Sequence, residues 1–337
     1  HPSRTRDVGG ELMAGTGKAH LRPEGDALLR VEDLVVEFRI GRTGLKVNAV
    51  SGISFDVLRG ETLGIVGESG CGKSTTGRAI MQLPRATSGS VVFEGRELTT
   101  LDREEMRAVR TKIQMIFQDP ISSLNPRRKV RDIVMEPLGI WKRGSQAEQG
   151  SAVDAILEEV GIDPKRAAES LPHQFSGGQC QRISIARSLV LDPQLIICDE
   201  PVSALDVSVQ AQVINLLEEL KKAHGLTLIF IAHDLAVVKN ISDRVAVMYV
   251  GYVVEVAPTD ELFRNPLMPY TEALISAIPP PNPRRRGRPM KLAGEVPSPS
   301  NPPTGCYANE CHKREQDLLS KNDGDGKGKQ HENAKNQ

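Results

Sequence analysis

A glycine-rich segment, Gly67–Ser74, carries the clearest chemical pattern in the sequence. It fits G-x-x-x-x-G-K-[ST] and lies between an apolar run typical of a strand and a stretch typical of a helix. Glycines let backbone N–H groups turn inward around phosphates, and a helix N-terminus adds positive potential. A glycine-rich turn without a ligand is the alternative, but this context favours a phosphate loop. The residues predicted to contact nucleotide here are Gly67, Glu68, Ser69, Gly70, Cys71, Gly72, Lys73, Ser74 and Thr75.

Within this loop two side chains have distinct predicted roles. Lys73 would reach the β and γ phosphates of a nucleotide, and the Ser74 hydroxyl would ligate Mg²⁺. Phosphoryl transfer also needs an acidic group that holds the metal and a group that activates water. The loop therefore predicts that such acidic residues stand elsewhere in the chain.

Asp199 and Glu200 meet that need, because they follow the apolar run Leu195–Cys198, which is typical of a buried strand. Asp199 would bind Mg²⁺ through water, and Glu200 would polarise the attacking water as a general base. An apolar strand followed by two acids is often only a strand end that meets solvent. Joined to the phosphate loop, the pair indicates a nucleotide hydrolase.

A second glycine pair, Gly177 and Gly178, follows Ser176 and opens an apparently helical stretch. Backbone amides and a serine hydroxyl at a helix start can grip an anion. Without other signals, an unliganded Gly-Gly turn would be the better interpretation. The segment Phe175–Gln179, however, resembles the signature of the ABC ATPase family, with Phe175 in place of leucine.

The resemblance to ABC ATPases implies roles for several more residues. Ser176, Gly177, Gly178 and Gln179 would grip ATP bound on the opposite subunit. Gln118 would touch Mg²⁺ and signal to a membrane partner. The segment Ser203–Asp206 would contact the second subunit, and His233 would contact the γ-phosphate. The sequence thus predicts ATP and Mg²⁺ as cofactors, with Glu200 and His233 catalytic and with Ser74, Gln118 and Asp199 around the metal.

Phe38 stands where the same family has an aromatic residue that stacks on adenine. A core position in a β-rich segment is the alternative for such a ring. Cys71, Cys180 and Cys198 lie inside nucleotide-site segments, where small apolar niches favour a structural over a redox role.

Composition narrows the class of protein. The 337 residues are 39% hydrophobic and 26% charged, as in ordinary globular chains. Lys plus Arg and Asp plus Glu both number 43, so the charge balance gives no indication of nucleic acid binding. No apolar run approaches the roughly 18 residues needed to span a bilayer, and five cysteines suit a reducing compartment. We expect a peripheral protein on the cytoplasmic face of a membrane.

Strand-like and helix-like runs alternate from Leu34, which predicts an α/β fold. The resemblance specifies a P-loop ABC ATPase fold with a RecA-like core, an antiparallel β subdomain, a helical subdomain and a C-terminal peptide-transporter extension. The predicted divisions are a flexible segment over 1–28, a nucleotide-binding domain over 29–258 with its helical subdomain at about 119–190, an extension over 259–311, and a disordered polar tail over 312–337.

Longer matches narrow the family to the ATPases of dipeptide and oligopeptide importers, and to the second of their two unlike ATPase subunits. They include FQDPISSLNPRRKVRDIVMEPL, SALDVSVQAQVINLLEELK and NPLMPYTEALISAIP. The resemblance implies two transmembrane permease subunits, a second and paralogous ATPase subunit, and an external peptide-binding protein. Nickel, glutathione and oligosaccharide cargoes remain alternatives. Cys306 and Cys311 fall short of the four thiolates of an iron–sulfur cluster, so we expect none.

Three other functions compete with this interpretation. A soluble ABC ATPase of repair or translation generally has two nucleotide domains in one chain, whereas this chain has one. A small-molecule phosphotransferase would leave the signature segment unexplained. A catalytically inactive subunit would not need the full set of Lys73, Asp199, Glu200 and His233. An ATP-hydrolysing importer subunit accounts for all of these motifs.

Overall fold

The computed structural model describes residues 4–6, 12–14, 18, 20–23, 25–40 and 45–278. Within them, strands β1 to β12 span Arg4–Arg6, Leu12–Ala14, Ala27–Ile40, Leu45–Leu58, Thr62–Val66, Ser88–Phe93, Arg96–Glu97, Ile113–Ile116, Leu195–Asp199, Thr227–Ile231, Arg244–Tyr249 and Tyr252–Pro258. Helices α1 to α11 span Lys73–Ile80, Arg103–Val109, Pro120–Ser123, Val130–Ile140, Gln146–Glu159, Pro164–Glu169, Gly177–Leu189, Val207–His224, Leu235–Ile241, Thr259–Arg264 and Pro269–Ser276.

The central sheet has six strands in the order β12-β11-β5-β10-β9-β8. Strands β11, β5, β10, β9 and β8 pair in parallel, and β12 joins the edge antiparallel to β11. The parallel strands run in one direction, so their carboxyl ends meet at one edge of the sheet. The prediction of a parallel α/β core is therefore confirmed.

The apolar runs of β9 and β10 are explained by burial on both faces of this sheet. Every residue of both strands is buried. Ile196 and Phe230 pack on one side with the helices, whereas Ile197 and Ile229 pack on the other with the antiparallel strands. Successive side chains of a strand point to opposite faces, so a sheet covered on both faces needs apolar residues at every position.

A second, four-stranded antiparallel sheet has the order β4-β3-β6-β7. Its buried face, which includes Val31, Phe55 and Val91, shares a core with α1 residues and with one face of the central sheet. This is the predicted antiparallel β subdomain. It packs beside the start of α1, where the phosphate loop ends.

All elements between Pro120 and Leu189 are helical, with α3 to α7 joined by short connections. The apolar face of α5 is buried, since Val153, Ile156 and Leu157 are at most 8% exposed. Helix α8 starts after Asp206 and ends at Gly225, whose φ of 62° closes the last turn. The division of the chain into domains stays a prediction.

The segment 1–28, predicted to be flexible, contains paired strands and ion pairs in its described residues. Strands β1 and β2 pair antiparallel, and β3 already begins at Ala27. Lys18 contacts Glu32 and Asp33 at 2.8 and 2.7 Å, while Arg22 contacts Glu61 at 3.0 Å. Ion pairs between distant residues leave no periodic signal in a sequence, which is why this packing was not predicted.

The C-terminal extension adds α10 and α11 after β12, and both helices bury residues in the larger core. Leu262 and Tyr270 are 0% and 1% exposed. Residues 279–337, which include Cys306, Cys311 and the predicted polar tail, lie outside the described residues. No helix in the described part of the chain is long and apolar enough to cross a membrane.

Candidate functional site

The phosphate loop joins β5 to α1, and glycines determine its course. Gly67, Gly70 and Gly72 have φ angles of 152°, 80° and 105°, which other residues rarely adopt. A Cβ atom at Gly72 would also collide with the carbonyl oxygen of Ala49. Glycine is therefore required here both for backbone conformation and for space, as a loop that closes around phosphates demands.

Lys73 is the first residue of α1, and its side chain is buried. Its Nζ atom donates to the carbonyl oxygens of Gly67 and Glu68, both at 2.8 Å. The ammonium group thus lies against the loop at the positive end of the helix. Ser69 and Gly70 are exposed, and Thr75 is half-buried on the first turn of α1.

Ser74 and Asp199 meet at the carboxyl edge of the central sheet. The Ser74 hydroxyl donates to Asp199 Oδ1 at 2.6 Å, and Asp199 is fully buried. Arg78 Nη2, one helical turn after Ser74, lies 3.4 Å from Asp199 Oδ2. Sequence reasoning missed Arg78, although its i, i+4 spacing from Ser74 puts both on one face of α1.

Glu200 has a left-handed backbone conformation, with φ of 47°, and its N–H donates to Ile231 of the neighbouring strand at 3.0 Å. One carboxylate oxygen, Oε2, accepts from Gln118 Nε2 at 3.0 Å. His233 Nδ1 lies 3.4 Å from the same oxygen. Such a backbone conformation is costly for a residue other than glycine and recurs at functional sites, where surrounding contacts maintain it.

The loop after Glu200 is fixed by its own Ser203 and by Gln210 of α8. Ser203 Oγ donates to the Glu200 carbonyl oxygen at 3.1 Å. Gln210 Nε2 donates to the carbonyl oxygens of Val202 and Leu205, both at 3.0 Å. Gln210 was not predicted, because a glutamine on a helix surface has no motif that reveals a partner in a preceding loop.

The signature segment begins α7 with a capping box. Gln179 N–H donates to Ser176 Oγ at 3.3 Å, and the Gln179 side chain accepts from Ser176 N–H at 3.1 Å. A Cβ atom at Gly178 would lie against Val209 of α8, and one at Gly177 would lie 3.6 Å from Leu205. The segment thus packs beside the loop that follows Glu200.

The structure brings six of the predicted residues into one site within the chain. They are Lys73, Ser74, Gln118, Asp199, Glu200 and His233. Ser176–Gln179 stand apart from these in their described hydrogen bonds, which join Ser176 to Gln179.

Phe38 lies on β3 opposite Val47 of β4, and its side chain is 42% exposed. That exposure does not fit the alternative of a core aromatic. The ring is accessible to a flat ligand, although the structure gives it no described contact with the phosphate loop.

The three cysteines of the site segments are buried. Burial raises the pKa of Cys71, Cys180 and Cys198, and for Cys198 burial and the nearby charge of Asp199 raise the pKa to about 12. A thiol with a raised pKa stays protonated and reacts slowly. A structural role fits these positions.

The residues at the sheet edge fit a magnesium ion that is shared with phosphates. They offer a hydroxyl at Ser74, an amide at Gln118 and a buried carboxylate at Asp199. Among the described residues, no group of three or more His, Cys, Asp or Glu side chains forms a metal cage. Mg²⁺ is usually held by one or two carboxylates together with substrate phosphates. This edge offers the protein part of such a donor set.

Two family profiles match the chain. Residues 50–203 match the family described as ABC transporter, and residues 254–317 match the family described as oligopeptide/dipeptide transporter, C-terminal region. The first range contains the phosphate loop, the signature segment and Glu200. The second range includes α10 and α11.

Curated relatives are similar over most of their length. The oligopeptide transport ATP-binding protein OppF of Escherichia coli (strain K12) is 54% identical over 296 residues, which are 84% of this chain and 88% of the relative. AppF of Bacillus subtilis (strain 168), also described as an oligopeptide transport ATP-binding protein, is 51% identical over 83% of this chain and 88% of its own.

Solved structures of ATP-binding cassettes share the fold. The dimeric structure of MJ0796 bound to ADP and Pi, described as a post-hydrolysis state, is 29% identical with a TM-score of 0.62, covering 68% of this chain and 98% of that one. The cbiO1 protein of Clostridium perfringens, part of the transporter complex cbiONQ, is 30% identical with a TM-score of 0.63, covering 71% and 92%.

Proposed function

The chain belongs to the ABC transporter ATP-binding proteins of the oligopeptide importer family, and from this premise we propose that it hydrolyses ATP to power peptide import. The observation that carries the proposal is the cluster at the sheet edge. There, Ser74 and Asp199 stand beside the Glu200 carboxylate, which accepts a hydrogen bond from Gln118 and has His233 Nδ1 3.4 Å away. This arrangement supplies phosphate binding, metal binding and water activation together.

Lys73 and the glycines of the loop bind the phosphates of ATP. The ammonium group of Lys73 exchanges its loop carbonyl partners for β- and γ-phosphate oxygens, which carry more charge. Ser74, Gln118 and Asp199 would hold Mg²⁺, which would offset the charge that develops on the phosphates. The exposed Phe38 ring stacks on the adenine base.

Glu200 accepts a proton from the attacking water. Its Oε2 atom is oriented by Gln118 Nε2 and lies near His233 Nδ1, so the carboxylate is held in one direction before the substrate arrives. His233 in turn contacts the γ-phosphate. Because Gln118 and His233 approach the same oxygen of Glu200, a change in the protonation or position of this base would alter the contacts of both side chains.

A second ATPase subunit completes the site. The signature residues Ser176–Gln179 form the N-cap and first turn of α7, where Ser176 and Gln179 bond to each other. We assign these residues to binding the nucleotide of the opposite subunit. The related cassette MJ0796 is described as dimeric. We assign this chain to a head-to-tail pair with a paralogous ATPase subunit.

The membrane partners dock near Gln118. Phe117 and Ile121, on either side of it, are exposed apolar side chains, with exposures of 39% and 58%. Exposed apolar residues so close together along the chain suit an interaction surface. Two permease subunits would bind here and hold the chain at the cytoplasmic face, while an external binding protein delivers peptide. Cargo choice would belong to those partners.

The decisive experiment is uptake by a host strain that lacks the gene. Labelled dipeptides, longer peptides, glutathione, an oligosaccharide and nickel are supplied, and the gene is restored as wild type or as Lys73→Ala. Peptide uptake that returns only with the wild-type gene is the expected result. Return of nickel, glutathione or oligosaccharide uptake alone would reassign the cargo, and unchanged uptake of every compound would refute the importer function.

A further inference from the structure

We propose that Tyr270 of the C-terminal extension is a positioning residue for the phosphate loop. The backbone N–H of Glu68 donates to the Tyr270 hydroxyl at 3.1 Å, across 202 positions of sequence. The inference rests on the ATP site proposed above and adds to it a residue from outside the nucleotide-binding motifs. Tyr270 touches the loop rather than the reacting atoms.

The Tyr270 hydroxyl is held firmly in place. The side chain is 1% exposed, and its ring lies 4.4 Å from the ring of Tyr249, measured between centroids. Burial raises the pKa of Tyr270, so the phenol stays neutral and keeps its proton. A neutral phenol oxygen accepts a hydrogen bond from an amide while its own proton can be donated.

The start of α11 is anchored as well. The buried carboxylate of Glu255, on β12, accepts from the backbone N–H groups of Leu267 and Met268 at 2.8 and 3.2 Å. These residues directly precede Pro269, the first residue of α11. The position of Tyr270 is thus set by the central sheet through Glu255.

Residue Glu68 is held at both of its backbone groups. Its N–H bonds to Tyr270, and its carbonyl oxygen accepts from Lys73 Nζ at 2.8 Å. When Lys73 turns to phosphate, its bond to the Glu68 carbonyl is lost, whereas the bond from Cys71 N–H to that carbonyl, at 3.3 Å, and the bond from Glu68 N–H to Tyr270 remain. Tyr270 therefore helps to preserve the course of the phosphate loop while Lys73 is bound to phosphate. ATP then binds to a loop that needs no reordering.

The same contact links nucleotide binding to the extension. A ligand that favours one arrangement of the phosphate loop must also favour the arrangement of α11 in which Tyr270 bonds to that loop, because coupling between sites is reciprocal. Nucleotide should therefore protect the backbone amides of α11, although α11 lies outside the phosphate-binding motifs.

The first test compares Tyr270→Phe with Tyr249→Phe and the wild type. Each variant loses one hydroxyl from the same ring pair, but only the first removes the acceptor of Glu68 N–H. We expect Tyr270→Phe to raise the Kd and KM for ATP about 5- to 30-fold, the scale of one lost hydrogen bond to a partly buried amide, with kcat at saturating ATP within about twofold. Tyr249→Phe should keep the KM of the wild type.

The second test uses hydrogen–deuterium exchange, with and without a non-hydrolysable ATP analogue. Analogue should slow exchange across Pro269–Ser276 in the wild type and do so less in Tyr270→Phe. An unchanged KM in Tyr270→Phe, a lower kcat with unchanged KM, or no protection of α11 in the wild type would overturn the inference. Failure of the wild type to hydrolyse ATP would instead refute the function on which it rests.

Discussion

Gln118 Nε2 donates to Glu200 Oε2 at 3.0 Å, and this hydrogen bond joins two strand ends of the central sheet. Gln118 follows β8 and Glu200 follows β9, and these strands pair in parallel. The exposed Phe117 immediately precedes Gln118. No residue therefore separates, along the chain, the exposed Phe117 from the side chain that orients the proposed base, which gives a short route between the proposed docking surface and ATP hydrolysis.

Glu200→Gln should bind ATP with nearly unchanged affinity and hydrolyse it about 10² to 10⁴ times more slowly. The amide keeps the size of the side chain but cannot accept the proton of water. Steady-state kcat and the Kd for ATP measure the two effects. Glu158→Gln, an exposed change on α5, is the matched control and should keep the wild-type kcat. Near-normal hydrolysis by Glu200→Gln would remove Glu200 from the mechanism.

Asp199→Asn should raise the Mg²⁺ concentration needed for half-maximal ATP hydrolysis by about tenfold or more. The buried carboxylate accepts from Ser74 and lies near Arg78, and an amide lacks the charge that attracts a divalent cation. ATPase activity titrated with Mg²⁺ at saturating ATP gives the measurement. Asp192→Asn, an exposed position with φ of 55°, is the control because asparagine tolerates that conformation. An Mg²⁺ dependence that Asp199→Asn leaves unchanged would exclude the assigned role.

The phosphate loop and the parallel core could be predicted because their residues act locally. Gly72 must be glycine for its own φ, and Ile197 and Ile229 are apolar because both faces of their sheet are covered. Each of these requirements can be recognised from the residue type at one position. The same local signals predict the order, along the chain, of the elements that carry Ser74 and Asp199.

Contacts between distant residues could not be predicted. The bond from Glu68 to Tyr270 and the ion pair of Arg22 with Glu61 depend on how elements pack, and neither has a spacing that repeats. Asp206 illustrates a smaller limit. It occupies the N-cap of α8, where aspartate is common, yet its side chain makes no cap hydrogen bond, because residue type indicates where a helix starts but not how the side chain turns.

Phe38→Ala should weaken ATP binding about 2- to 10-fold, the range of an aromatic stacking contact. Phe38→Trp should retain affinity, since the larger ring still offers a stacking face. The side chain is 42% exposed, so the free energy of unfolding should change little in either variant. Equilibrium binding and chemical denaturation measure the two quantities. Unchanged ATP affinity with a large loss of stability in Phe38→Ala would assign the ring to packing instead.

Ile121→Glu should separate ATP hydrolysis from transport. Ile121 is 58% exposed on α3, whose first turn is capped by the Asp119 carboxylate, so a charge there leaves the fold intact. The isolated chain should keep its basal ATPase rate, whereas peptide uptake by the complemented strain should fall at least tenfold, because a carboxylate cannot be buried against an apolar partner without a large cost. Ile140→Glu, at an exposed apolar position at the end of α4, should transport normally. Full uptake by Ile121→Glu would show that the membrane subunits bind elsewhere, and the route through Gln118 would then lose its starting point.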